Sequence, residues 1–154
     1  NLIYYDPNFR PSQLIGNDSA KEWIIENIRM ADIVKGSNED FIHLFNAKTS
    51  QEAFDAVKEI NPQVILIVTA NKDGADLFTS TFHRHYDVPQ IKPVSTIGAG
   101  DTFSAGILYG LHNAKATKEN LQSLTESQWD NALNYAITFA TEVCMSYENY
   151  ITLH

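Results

Sequence analysis

The sequence predicts an α/β protein in which a mostly parallel sheet lies between two layers of helices. The first indication is a continuous run of aliphatic residues at positions 64–68, as expected of a central parallel strand covered on both faces. The second indication is alternation, because short apolar runs typical of strands are separated by segments with helical spacing of apolar residues. No internal repeat or low-complexity tract interrupts this order.

Each element has its own local signal. Strands are predicted where short apolar runs are followed by turn residues, at positions 2–5, 33–34 and 64–68. Helices are predicted where apolar residues recur every three or four positions, over 20–31, 38–45, 51–60, 98–111 and from 125 onward. The Asp73-Gly74 turn leads into extended stretches at 75–79 and 82–88, which predict a β-hairpin that adds to the sheet.

Three helices have candidate N-terminal caps. Asp18 or Ser19 is the candidate for the first helix, and Ser50 for the helix at 51–60. Segment 125–128, Thr-Glu-Ser-Gln, fits the capping box and predicts the start of the longest helix. The tryptophans, Trp23 and Trp129, are expected in the core.

Composition excludes several function classes. The 154 residues include 11 basic and 19 acidic side chains, a formal charge of −8, so a surface that neutralises nucleic-acid phosphates is not expected. The single cysteine, Cys144, excludes an internal disulfide framework and a cysteine-rich zinc site, which fits a reducing cytoplasm. The longest apolar run is too short to cross a bilayer, so no membrane partner is expected.

The strongest chemical feature is segment 96–103, Thr-Ile-Gly-Ala-Gly-Asp-Thr-Phe, where small residues stand at the point at which a loop becomes a helix. The unpaired amides of a helix start, together with the helix dipole, attract anions, and glycines let a phosphate approach the backbone. Asp101 lies in the same turn, so a hydroxyl beside it could lose its proton while attacking a phosphorus atom. The hypothesis requires that this carboxylate is not buried in a salt bridge.

A structural explanation of the same segment stays open. Gly98 and Gly100 could serve only close helix packing, with Asp101 as an ordinary first-turn acid favoured by the dipole. The P-loop pattern is absent, so a Walker-type site is excluded.

Segment 94–106 resembles the signature of the ribokinase-like, or PfkB, carbohydrate kinases, in which Gly-Ala-Gly-Asp is followed by Thr-Phe and a later glycine, here Gly106. Three upstream segments resemble the same family in the same order, at 6–10, 34–40 and 68–75. The resemblance implies a ribokinase-like fold, a Rossmann-like three-layer α/β/α sheet whose strand ends hold the nucleotide along one edge. It also implies ATP and Mg²⁺ as cofactors.

The resemblance assigns roles residue by residue. It implies that Asp101 is the catalytic base and that the amides of Gly98, Ala99 and Gly100 form the anion hole. Further nucleotide-binding residues implied by it are Thr69, Asn71, Lys72, Gly74, Lys35 and Ser37. Its remaining implications are substrate contacts from Asn8 and Arg10 and a magnesium contact from Asp40. By residue chemistry alone, Asp6-Pro7-Asn8 is a plain turn.

Several positions depart from the family pattern. Ser37 replaces the usual asparagine, as in some fructokinase-like members, and Asp40 replaces the usual glutamate. Ser95 and Ile97 stand where acidic and threonine residues often bind a monovalent cation, which argues against potassium activation.

The expected function is phosphoryl transfer from ATP to a sugar hydroxyl, with a fructose-like sugar as the first candidate. Residues 1–154 would form the carboxyl-terminal nucleotide-binding and catalytic part of the kinase domain, without the amino-terminal sugar-binding half and its lid. The isolated chain would then bind nucleotide weakly, and a homodimer would form through the lid region. The alternatives are a nucleoside kinase of the same fold and a non-catalytic ligand-sensing or interaction module.

Two histidines form a separate candidate. His83 and His85 would lie on one face of a strand because side chains alternate along it. Two histidines on one face can bind a metal, but no third ligand is evident in the sequence, so ordinary surface histidines are the simpler interpretation.

Overall fold

A computed structural model describes residues 1–8, 18–148, 150 and 151. In chain order, the strands and helices are β1 (Tyr4–Tyr5), α1 (Asp18–Met30), β2 (Ile33–Ser37), α2 (Asn38–Phe45), α3 (Ser50–Ile60), β3 (Ile65–Thr69), β4 (Ala75–Phe78), β5 (His83–Tyr86), α4 (Ala99–Asn113) and α5 (Glu126–Cys144). The chain divides into two compact units, Asn1–Asp87 and Val88–His154.

The first unit contains a five-stranded sheet whose spatial order, β1-β2-β3-β4-β5, follows the chain. Strands β1, β2 and β3 are parallel, and β4 and β5 continue the sheet as an antiparallel hairpin. Ser37 pairs with Thr69, so β2 and β3 end at the same edge. The predicted α/β class, with its parallel strands and appended hairpin, is confirmed.

Burial on both faces explains the aliphatic run of β3. Leu66 and Val68 pack into the cluster that α1, α2 and α3 form with the sheet, which includes Ile28 and Phe41. The alternate residues of β3, Ile65 and Ile67, point to the other face and are also fully buried. A strand covered on both faces needs apolar side chains at every position, as predicted.

The helix starts correct the predicted caps of two helices, α3 and α1. Thr49, not Ser50, caps α3, because its side chain accepts a hydrogen bond from the amide of Glu52. Ser50 is the first residue of α3, and its hydroxyl donates to Asp76 Oδ2 at 2.7 Å. Asp18 and Ser19, the two predicted caps of α1, lie inside that helix.

The second unit is built on the close contact of α4 with α5. A Cβ atom on Gly106 would lie 2.4 Å from the Cα of Ala136, and one on Gly110 would lie 2.4 Å from the Cα of Ala132. Glycine at both positions lets the helix backbones approach. The capping box of α5 is confirmed, because Thr125 accepts a hydrogen bond from the amide of Gln128 and the Gln128 side chain accepts one from the amide of Thr125.

The two tryptophans differ in burial. Trp129 is fully buried, as predicted, whereas Trp23 is 70% exposed and its predicted place in the core is wrong. Trp23 lies on the outer side of α1, whereas Ile24 and Ile28 of the same helix face inward. Across the described ranges, none of the helices has the length and apolarity that a membrane span requires.

Candidate functional site

The start of α4 has the backbone form that the small residues predict. Gly98 is the N-cap and adopts the left-handed conformation, with φ of 81°, and it offers no side-chain cap. A residue with a Cβ atom is strained in that conformation, so glycine is required here. Thr102 closes the first turn from inside, because its amide and its hydroxyl both donate to the Gly98 carbonyl, at 2.9 and 2.7 Å.

The predicted anion-hole amides are mostly unpaired. Within the described residues, the amides of Gly98, Gly100 and Asp101 have no hydrogen-bond partner, and the amide of Ala99 reaches the carbonyl of Thr96 at a long 3.3 Å. Gly100 is exposed. Unpaired amides at a helix start form a site that suits an anion.

Asp101 occupies the third position of α4 and is exposed. Its carboxylate makes no hydrogen bond or ion pair with any residue that the structure describes. The requirement that this carboxylate is not buried in a salt bridge is therefore met. A proton acceptor and unpaired donors share one helical turn.

The packing alternative applies to other glycines. The two glycines that bring α4 against α5 are Gly106 and Gly110, one and two further turns along the helix. Gly98 and Gly100 lie before that contact, at the start of α4. Helix packing therefore explains the later pair of glycines and leaves the first pair to be explained.

In the first unit, the predicted nucleotide-binding residues at 69–74 form one compact turn. Thr69 ends β3, and its hydroxyl reaches the Gly36 carbonyl at 3.4 Å. The amide of Ala70 donates to the Gly74 carbonyl at 2.9 Å and closes the turn. Asn71 and Lys72 are exposed on it. Gly74, with φ of 93°, would carry a Cβ atom only 2.3 Å from the Tyr86 carbonyl oxygen.

Lys35, a predicted nucleotide-binding residue, already has an anionic partner in the first unit. Its side chain is buried, and its ammonium group pairs with Asp6 Oδ2 at 2.9 Å. Asp6 also accepts a hydrogen bond from the amide of Asn8, which has a left-handed φ of 34°. The turn at 6–8 thus has a structural role in holding Lys35. Arg10, the other predicted substrate contact, lies outside the described residues.

Ser37 and Asp40 satisfy each other. The Ser37 hydroxyl accepts from the amide of Asp40, and Asp40 Oδ2 accepts from the amide and the hydroxyl of Ser37, at 2.7 and 2.8 Å. This capping box explains why a serine and a shorter acid occur together at these positions. It engages one oxygen of the carboxylate that the resemblance assigns to magnesium.

The residues present suit a magnesium ion only in company with a nucleotide. Within the described part of the chain, no three His, Cys, Asp or Glu side chains are grouped to hold a metal. Mg²⁺ is commonly bound by one or two carboxylates together with substrate phosphates, which is compatible with a single carboxylate such as Asp40.

The sequence analysis missed the partner of the two histidines. His83 and His85 do lie on one face, and both rings bond to the same oxygen of Asp76, at 2.9 and 3.1 Å. Strand alternation predicts the histidine pair, but only the register of β4 and β5 places Asp76 opposite His85.

Comparison with known proteins decides the family. A profile described as "pfkB family carbohydrate kinase" matches residues 1–148. The chain belongs to this family. Among its relatives, a fructokinase of Rhizobium leguminosarum bv. trifolii is 33% identical over 133 residues, 84% of this chain and 40% of the relative. An aminoimidazole riboside kinase of Salmonella typhimurium is 28% identical over 131 residues, 85% of this chain and 37% of the relative.

Solved structures support the fold of this pfkB family chain. A Vibrio cholerae fructokinase, solved with fructose, ADP and a calcium ion, superimposes with a TM-score of 0.81 at 22% identity. The superposition covers 96% of this chain and 46% of that structure. The ribokinase-like fold is confirmed, and the chain spans less than half the length of each of these proteins.

Proposed function

We propose that the protein containing this chain is an ATP-dependent carbohydrate kinase that phosphorylates a hydroxyl of a fructose-like sugar. The observation that carries the proposal is the start of α4, where an unpaired carboxylate and unpaired amides share one turn. Membership of the pfkB family and similarity to a fructokinase support the reaction and the choice of sugar.

The proposed roles follow from the chemistry of phosphoryl transfer. Asp101 accepts the proton of the sugar hydroxyl as its oxygen attacks the γ-phosphorus. The amides of Gly98, Ala99 and Gly100 donate to the phosphoryl oxygens, where negative charge accumulates. A magnesium ion bound with the nucleotide would neutralise part of the phosphate charge. Because the helix start is fixed before the reaction, these donors need no rearrangement.

The first unit is proposed to bind the nucleotide through the turn at 69–74, with Thr69, Asn71, Lys72 and Gly74 as contacts. Ser37 is a weaker candidate because its hydroxyl is engaged with Asp40. Lys35 and Asp40 have structural partners, so their proposed contacts with phosphate and magnesium require that these partners be shared or exchanged. Asn8 and Arg10 remain proposed substrate contacts.

The wider assignment is also a proposal. Residues 1–154 are proposed to be the carboxyl-terminal nucleotide-binding and catalytic part of a longer kinase, supported by their match to 37–40% of two relatives' length. Sugar recognition and a lid that mediates dimerisation would come from further sequence. A cytoplasmic location, and weak activity of the chain on its own, are part of the same proposal.

The test is the rate of ADP release by the full-length protein with a panel of sugars and nucleosides. Asp101→Asn should lower kcat by about two to four orders of magnitude, as expected for loss of a general base. Glu126→Gln is the matched control, because it removes an exposed first-turn carboxylate from α5 in the same unit. Near-normal kcat in Asp101→Asn would refute the assignment.

A nucleoside kinase is the second candidate, favoured by the similarity to an aminoimidazole riboside kinase. The substrate panel separates the sugar kinase from the nucleoside kinase, because the preferred acceptor gives the higher kcat/KM.

A non-catalytic module is favoured only by the engaged side chains of Lys35 and Asp40. Calorimetry with Mg-ATP on the full-length protein excludes a pure interaction module if heat of binding is observed and supports it if none is.

A further inference from the structure

Asp76 joins three elements of the first unit through its two carboxylate oxygens. Oδ1 accepts hydrogen bonds from His83 Nε2 at 2.9 Å and from His85 Nδ1 at 3.1 Å, and Oδ2 accepts from the Ser50 hydroxyl at 2.7 Å. An ionised carboxylate only accepts, so each histidine carries a proton on the nitrogen that faces Asp76. The cluster thereby ties β5 and the start of α3 to β4.

The same cluster touches the turn at 71–74. A Cβ atom on Gly74 would lie 3.0 Å from two atoms of the His85 ring, so the ring packs directly against the Gly74 backbone. Gly74 in turn closes the turn, because its carbonyl accepts from Ala70 and its amide donates to the Asn71 carbonyl. His85 is therefore in direct contact with the turn on which Asn71 and Lys72 are exposed.

Charge in the cluster depends on the histidines. With both rings neutral, Asp76 gives it one negative charge, and with both rings protonated the three side chains carry one net positive charge. Further charges near the cluster are the carboxylate of Asp87, 3.6 Å from His85 Nε2, and the ammonium group of Lys58, which lies over the Phe54 ring. The Phe54 ring stacks on Phe78, which in turn stacks on His83. Arg84 lies over Phe82 instead.

The carboxylate itself stays ionised at neutral pH. Burial raises the pKa of Asp76, but hydrogen bonds from Ser50, His83 and His85 outweigh it, so the pKa lies below its ordinary value of 3.8. Because folding lowers this pKa, the carboxylate stabilises the folded chain at neutral pH and loses that contribution only as the pH falls below the ordinary carboxylate range. Histidine side chains generally gain their proton at higher pH, between about 5 and 8.

We infer that Asp76, His83 and His85 position the turn at 71–74 and make the affinity for Mg-ATP rise as the histidines take up protons. Protonation turns both hydrogen bonds to the ionised Asp76 into ion pairs and adds positive charge beside a turn proposed to contact phosphate. This inference rests on the proposed nucleotide-binding role of that turn. The three side chains are positioning residues rather than catalytic ones.

The test compares the Kd for Mg-ATP at pH 6 and pH 8, by calorimetry on the full-length protein. The decisive variant is His83→Gln with His85→Asn, because each amide nitrogen replaces the donor that its histidine used but gains no charge. The ratio of variant Kd to wild-type Kd should be about three to five times larger at pH 6 than at pH 8. Taking this ratio cancels the protonation of ATP itself.

His112→Gln is the matched control, since His112 is an exposed histidine of α4 outside the cluster. The ratio of the His112→Gln Kd to the wild-type Kd for Mg-ATP should be the same at both pH values. Asp76→Asn should weaken Mg-ATP binding at both pH values, because a neutral amide oxygen holds the two rings less strongly and the amide nitrogen cannot accept from the Ser50 hydroxyl, so the turn is positioned less firmly. A constant ratio for the His83→Gln/His85→Asn variant would overturn the inferred pH dependence.

Amide hydrogen exchange separates this inference from the proposed function. Asp76→Asn should speed exchange at Asp73 and Gly74, whose amides close the turn, by about tenfold relative to His112→Gln. Unchanged exchange would overturn the positioning role whether or not nucleotide binds. If wild type binds no Mg-ATP while exchange responds as expected, the proposed function fails and the positioning role stands.

Discussion

Helices α2 and α4 both have an aspartate at the third position after the N-cap, and they use it in opposite ways. In α2, the N-cap Ser37 and the carboxylate of Asp40 bond to each other. In α4, the N-cap is Gly98, and the carboxylate of Asp101 has no partner among the described residues. The cap residue, more than the acid, therefore decides whether a helix start is closed by its own side chains or open to a ligand.

The same contrast holds more widely between the two sets of predicted site residues. In the first unit, the buried ammonium group of Lys35 is neutralised by Asp6, so a side chain suited to phosphate is already paired. In the second unit, the predicted donors are backbone amides without side-chain partners. A shared family motif thus marks a location, while the local partners determine which groups are available there.

Substitution of Lys35 should give the largest change in stability, and it tests whether the pair with Asp6 holds the first unit together. Lys35→Met should lower the free energy of unfolding by about 2–3 kcal/mol, because the ion pair between the buried Lys35 ammonium group and the partly buried Asp6 carboxylate is lost. Urea denaturation measures the loss. Lys21→Met, at an exposed position of α1 in the same unit, is the control and should change stability by under about 0.5 kcal/mol. A fully stable Lys35→Met would show that the pair is dispensable and that Lys35 is available for another role.

Alanine substitutions at Gly98 and Gly100 should give the next largest changes in the free energy of unfolding, and these changes should have opposite signs. Gly98→Ala forces a Cβ atom into the left-handed conformation and should cost about 1–2 kcal/mol. Gly100→Ala lies inside the first helical turn and should stabilise the chain by up to about 1 kcal/mol. We expect Gly100→Ala nevertheless to weaken Mg-ATP binding in calorimetry, since its methyl group narrows the approach to the amides. Unchanged binding would favour a purely conformational role for this glycine.

Ser37 tests the closed helix start. Ser37→Ala should lower the free energy of unfolding by about 1 kcal/mol, because α2 loses the acceptor for the Asp40 amide. Ser37→Thr is the control that keeps a hydroxyl, and it should retain most of the stability in thermal denaturation. If Ser37→Ala and Ser37→Thr unfold at the same temperature, the capping box contributes nothing and Asp40 is effectively free.

Sequence reasoning recovered those features that depend on local spacing. The strand around 64–68, the hairpin and the start of α4 follow from apolar patterns and glycines, and each is present in the structure. The small-residue segment at 98–101 located the open helix start because caps and dipoles are properties of neighbouring residues.

The sequence could not reveal contacts between distant residues. Lys35 and Asp6 are 29 positions apart, and nothing local indicates that their charges meet. The register of β4 and β5 places Asp76 beside the two histidines, and residue spacing does not predict that register. Ser50 was predicted as a helix cap, but its hydroxyl donates to the Asp76 carboxylate. Such pairings depend on tertiary geometry, which residue type and spacing leave undetermined.

The smallest expected effect is on the free energy of unfolding of Asp101→Asn and Asp40→Asn. The two losses should differ in how they depend on salt concentration. Asp101→Asn should cost about 0.3–1 kcal/mol at low ionic strength, because an exposed first-turn carboxylate interacts only with the helix dipole, and the loss should vanish in high salt. Asp40→Asn should keep its cost in high salt, because it weakens short hydrogen bonds to Ser37 rather than a screened field. Thermal denaturation at two salt concentrations measures both. Equal, salt-independent losses would mean that Asp101 is bonded in solution, and the difference between the two helix starts would then disappear.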